Sequence, residues 1–135
     1  MELNPNLVFN GNAEEALEHY RSALGGDLEI LRFGESPAAA EVEPEWAAKV
    51  IYGTLRSPAG ILNAMDAPHD RAGMPGGFVL GIQTESADQV DAVFAKLSAG
   101  GTVTMPLDAT FWSPRFGMLT DKFGIKWTIS LRGAA

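Results

Sequence analysis

Apolar residues recur at helical spacing in two stretches of the chain, and signals that start and stop a helix bracket each one. Ala13, Ala16, Leu17, Tyr20 and Leu24 fall on one face, the period of an amphipathic helix. Asn12 precedes them as an N-cap with Glu15 three residues on, the capping-box arrangement, and Gly25-Gly26 closes the run. The second stretch repeats the recipe. Ser86 caps, Gln89 stands three residues later, Val90, Val93, Phe94 and Leu97 form the stripe, and Gly100-Gly101 ends it.

The remaining apolar runs are short and read as strands. Residues 3–9 and 78–82 precede the two helices. Runs at 28–33, 49–56 and 61–65 follow the first helix, and runs at 102–105, 116–120 and 125–131 follow the second. Ser57-Pro58-Ala59-Gly60 and Asp121-Lys122-Phe123-Gly124 carry turn chemistry between paired strands, so each predicts a hairpin. Residues 37–45, with two prolines among Ala and Glu, read as a mobile loop.

The order of strand, helix and three strands occurs twice. At one offset Gly53-Thr54-Leu55 falls on Gly117-Met118-Leu119 and Gly60-Ile61 on Gly124-Ile125; at another, Ala13 falls on Ala87 and Tyr20 on Phe94. The expectation is an α+β chain of two βαβββ modules, at about 1–66 and about 78–135, joined by a linker at 67–77 into a single domain.

Composition narrows the class. The chain has 135 residues, of which 46% are hydrophobic and 20% charged, a globular balance. It has no cysteine, which excludes disulfides, thiolate metal sites and cysteine nucleophiles and agrees with a cytoplasmic location. No apolar run is long enough to span a bilayer, and a net charge of −7 with scattered arginines argues against nucleic acid and anionic membranes as partners.

Chemistry-bearing residues are few. His19 lies beside Tyr20 and reads as a boundary residue of the first helix, while His69, next to Asp70 in the linker, is a weak catalytic candidate. Asp66 ends a hairpin strand and is the other weak candidate, as a base or polar anchor. Asn63 and Met65 share a face of that strand and are ligand-binding candidates. Phe111-Trp112-Ser113-Pro114-Arg115 offers an aromatic wall with a cationic anchor for a planar or anionic ligand, and Trp127 joins it as a ligand-binding candidate. Trp46, at the end of the 37–45 loop, fits a lid or a contact between copies. Gly73-Met74-Pro75-Gly76-Gly77 lacks the Lys and helix of a phosphate loop, and no Gly-x-Ser-x-Gly occurs.

The chain resembles the vicinal oxygen chelate superfamily of glyoxalases, bleomycin-resistance proteins and extradiol dioxygenases, and within it the PhnB-like group. Phe9-Asn10-Gly11-Asn12-Ala13-Glu14-Glu15-Ala16, Arg32-Phe33-Gly34, Thr104-Met105-Pro106-Leu107, Phe111-Trp112, Arg115-Phe116-Gly117-Met118 and Thr120-Asp121-Lys122-Phe123-Gly124 carry the resemblance. It implies paired modules whose sheets form a cup. In metal-using relatives, inward His, Glu or Gln side chains of both modules hold one divalent ion that polarises substrate oxygens. The corresponding positions fall at or near Pro5, at Phe78 or Val79, and at Ala64 and Thr128, with Asn4, Asn63 and Ser130 as neighbours, all poor transition-metal ligands. The expectation is therefore a homodimeric protein that binds a small aromatic or anionic molecule without a metal or other cofactor. The alternative is a metal-dependent lyase, isomerase or dioxygenase of glyoxalase type with ligands elsewhere. A methyltransferase role, attached by name to some PhnB-like proteins, meets no methyl-donor motif here.

Overall fold

The computed structural model describes residues 1–67, 73 and 75–133, in two compact units, Met1–Met74 and Pro75–Ala135. The first holds β1 (Asn6–Phe9), α1 (Ala13–Leu24), β2 (Asp27–Arg32), β3 (Val50–Ser57) and β4 (Gly60–Asp66). Its sheet runs β1-β4-β3-β2, with β1 parallel to β4 and the other pairs antiparallel. The second unit repeats this with β5 (Leu80–Thr84), α2 (Ala87–Ser98), β6 (Thr102–Asp108), β7 (Phe116–Thr120) and β8 (Lys126–Leu131) in the order β5-β8-β7-β6. The twofold βαβββ organisation expected from the pattern is the one found.

Each helix covers one face of its own sheet. Ala13, Ala16, Leu17 and Tyr20 of α1 are fully buried, as are Leu55 and Ala64 of the sheet beneath. Val90 and Leu97 of α2 are buried likewise, with Leu119, Trp127 and Ile129 of their sheet. The doubled glycines after the helices serve two purposes. Gly25 and Gly100 take positive φ, which ends the helix cheaply. Gly26 and Gly101 let the chain pass close to the neighbouring hairpin. A Cβ there would stand 2.1 Å from the carbonyl oxygen of Arg56 and 2.3 Å from that of Thr120 respectively.

Three local expectations change. Asn12 is the N-cap of α1 but makes no side-chain cap bond; a carboxylate from β4, described below, replaces it. Ser86 does cap α2, its hydroxyl accepting the Gln89 N–H. β6 continues through Pro106 to Asp108, because it is the edge strand and an edge tolerates the missing N–H. The 37–45 loop is built from 3-10 turns at Pro37–Glu41 and Pro44–Trp46, preceded by one at Phe33–Glu35.

Candidate functional site

Strand alternation sorts each sheet into a helix-covered face and an opposite face. In β4, Leu62 and Ala64 are buried on the helix side, and Ile61, Asn63 and Met65 lie on the other. Ala64, one of the positions the resemblance pointed to, therefore faces α1, and its neighbours are the residues that face away. In register with Asn63, Thr54 of β3 donates its hydroxyl to the Asn63 amide oxygen at 3.0 Å. In β8, Trp127 and Ile129 are buried, while Thr128 and Ser130 lie on the opposite face.

The first unit carries a concavity of about 800 Å³ where this opposite face meets the segment 33–47. Val8, Ile51 and Met65 form its floor, and Phe33, Val42 and Trp46 form its wall. Ile51 reaches the floor through a bulge: Leu31 pairs with Tyr52 and Arg32 with Val50, leaving Ile51 unopposed and re-aimed. The wall is tied down at its base, where Phe33 N–H donates to the Lys49 carbonyl at 3.0 Å and Gly34 N–H to that of Ala47 at 2.9 Å. The rings of Phe33 and Trp46 lie 6.3 Å apart, tilted by 51°. The indole N–H of Trp46 is sealed from solvent with no hydrogen-bond partner among the described residues. Size and lining are those of a small-molecule site, mostly apolar and aromatic with few polar groups.

A smaller concavity, about 380 Å³, lies against β2, β3 and β4 and is polar, with Glu2, Glu29, Arg56, Thr54 and Asn63 in its lining. Beside the larger one, Arg32 grips Glu14 of α1 through two nitrogens at 2.8 and 2.9 Å and donates to the Ala48 carbonyl at 3.0 Å. The segment is thereby fastened to the helix. These charge-assisted hydrogen bonds hold the Glu14 carboxyl below the usual carboxylate range; they outweigh the opposing effect of burial, and the guanidinium's positive field adds a smaller lowering.

The structure places the sequence candidates in different roles. Met65 lines the larger concavity and Asn63 the smaller. Asp66 is 1% exposed, and its carboxylate accepts three backbone N–H groups, those of Gly11 and Ala13 at the start of α1 and that of Val50 at the start of β3. Trp127 is also 1% exposed, and its indole N–H donates to Asp121 Oδ2 at 2.9 Å; it is a core side chain of the second unit. Phe111 and Trp112 are 98% and 50% exposed and stack edge to face, and Trp112 does the same on Phe116. Arg115 pairs with Asp91 of α2 through its Nε. His69 lies outside the described residues. Sequence reasoning passed over Val8, Phe33, Glu41, Val42 and Ile51. The available signal was Val8, an apolar residue on the exposed parity of β1.

The divalent ion that the resemblance implies finds no fitting donor set among the described residues. At and beside the positions the resemblance points to, the faces opposite the helices carry Asn63, Met65, Thr128 and Ser130, whose amide, thioether and hydroxyl groups remain neutral. Among the described residues, no three His, Cys, Asp or Glu side chains converge to hold a metal. No helix among them is long and apolar enough to cross a membrane.

A family model described as the glyoxalase/bleomycin resistance protein/dioxygenase superfamily matches residues 3–129. The chain is 34% identical to protein PA1353 from Pseudomonas aeruginosa, with 98% of each chain covered and a TM-score of 0.87. It is 30% identical to the PhnB protein from Bacillus cereus, over 97% of this chain and 99% of that one, with a TM-score of 0.75. Protein YjdN from Escherichia coli strain K12 is 29% identical over 97% of this chain and 95% of its own length.

Proposed function

We propose, from the premise that the chain belongs to the glyoxalase/bleomycin resistance protein/dioxygenase superfamily, that it binds a small planar molecule in the concavity of its first unit without a metal ion. The observation that carries this reading is the concavity itself, about 800 Å³ with Phe33, Val42, Trp46, Ile51 and Met65 in its lining. A flat apolar body gains by leaving water for such a surface. The neutral groups at the positions the resemblance points to, and the lack of a converging His, Cys, Asp or Glu cluster among the described residues, support the metal-free half of the reading. Fold membership alone would not, because related sites host unrelated chemistries.

The test is a ligand-observed NMR screen of planar aromatic fragments, repeated on Trp46→Ala and on Phe111→Ala. Fragments that bind the unsubstituted protein and Phe111→Ala, and lose at least about tenfold on Trp46→Ala, support the site, since tenfold corresponds to about 1.4 kcal/mol of contact. An absence of binders, or equal binding to Trp46→Ala, overturns it. Metal analysis of untagged protein from metal-supplemented growth tests the other half. Near one ion per chain would return the metal-dependent lyase, isomerase or dioxygenase to first place. A symmetric homodimer belongs to the same reading, and light scattering that gives the mass of one chain would remove it.

A further inference from the structure

We infer that the larger concavity selects by charge, taking organic cations with a flat apolar body in preference to anions of the same shape. This rests on the binding reading above and adds the class of ligand. Among the described residues the lining contains no Lys, Arg or His, and Glu41 is its charged group with a side chain free of ion pairs. The Asp66 carboxylate, which ends β4 at the floor, is committed to backbone N–H groups. Glu43 and Glu45 follow on the same segment and are exposed, outside the lining but close to it in sequence.

Two described cations flank this segment in sequence, and both are turned to other partners. Lys49 donates to the Gly11 carbonyl at 2.8 Å, and Arg32 is held by Glu14. The net charge of −7 leaves a background of the same sign. The wall adds a second attraction, because the faces of Phe33 and Trp46 favour a cation placed over them. An anion entering the same space would meet Glu41 and, among the described lining residues, no cation to replace its lost hydration. Geometry, lining chemistry and charge thus point to one ligand class, a protonated amine or quaternary nitrogen attached to an aromatic body.

The experiment is titration calorimetry with three probes that share a naphthalene body: 2-naphthylmethylammonium, 2-naphthylmethanol and 2-naphthylacetate. The expected order is cation, then alcohol, then anion, with about tenfold between the charged probes at low ionic strength and less in 1 M salt. Glu41→Gln, an exposed substitution, should narrow that ratio to about threefold or less, with the loss of affinity falling on the ammonium. Acetate binding as tightly as the ammonium overturns the inference while the binding reading stands. The expected order with a ratio that Glu41→Gln does not change overturns the role given to Glu41. Failure of all three probes overturns the binding reading, and the charge preference with it.

Discussion

The carboxylate of Asp66, the last residue of β4, accepts the N–H of Ala13, the first residue of α1, at 2.9 Å across 53 positions of sequence. The same oxygen accepts the Gly11 N–H at 2.9 Å, and the other oxygen accepts that of Val50 at 2.9 Å. One side chain therefore ties the end of β4 to the starts of α1 and β3. Asp66→Ala leaves three backbone donors without their acceptor in a buried site. The expected loss is about 3 kcal/mol or more of unfolding free energy, read by urea denaturation. A loss under about 1 kcal/mol would mean that those donors readily find other partners.

Asp121 has the corresponding office in the second unit. It is 3% exposed, accepts the N–H groups of Phe123 and Ile125 at 2.9 and 3.0 Å, and receives the Trp127 indole. Trp127→Phe removes that donor and some core volume, for an expected cost of about 2 kcal/mol in the same assay. An unchanged urea midpoint would show that the pair adds nothing to stability.

These two aspartates also mark what the chain reveals before it folds. The α2 cap was legible because Ser86 and Gln89 are three residues apart. The α1 cap was not, because its acceptor comes from another strand and the nearest candidate, Asn12, is idle. Strand positions and the internal repeat followed from local pattern alone. The concavity did not, since its floor needs a bulge at Ile51 and a parallel pairing of Val8 with Met65. Neither leaves a local signature. Arg115 looked like a ligand anchor in sequence because nothing local shows that Asp91, on α2, reaches it.

Trp46 allows a substitution with the opposite sign. Its N–H is buried without a partner among the described residues, which costs the native state about 1–3 kcal/mol of unrecovered hydration. Trp46→Phe keeps an aromatic ring against Phe33 and removes the orphaned donor. The expected stability is equal to or above that of the unsubstituted protein, because the smaller ring gives back part of the gain as lost contact. Destabilisation beyond about 1 kcal/mol would mean that the N–H is satisfied in solution.

The Glu14–Arg32 pair sets a pH signature. Arg32 lowers the Glu14 pKa in the folded state, so the pair stabilises the fold above the ordinary glutamate value. That stability is lost as the pH falls through the lowered one. The stability advantage over Glu14→Gln should be constant from pH 7 to about 5, decline once the pH falls below the ordinary glutamate value, and be lost below the lowered one. Both side chains are more than a third exposed, so the advantage is small and should shrink further in 1 M salt. An advantage that grows on acidification would reverse the assigned sign.

Gly53 and Gly117, which the internal repeat superposes, should respond unequally to the same substitution. A Cβ on Gly53 would meet the Leu17 Cδ1 at 2.5 Å, the far end of a side chain that can turn aside. On Gly117 it would meet Phe94 Cε2 at 2.7 Å, Leu107 Cδ2 at 2.9 Å and the Met105 carbonyl at 3.1 Å. A ring edge and a backbone oxygen yield less than a leucine methyl. Gly53→Ala should therefore cost about 1 kcal/mol and Gly117→Ala about 2–3 kcal/mol, the range for overfilling a packed interior. The comparison by urea denaturation tests the packing of each helix against its sheet. Equal costs would mean that Phe94 moves as freely as Leu17, and a cost only at Gly53 would contradict the packing of α2.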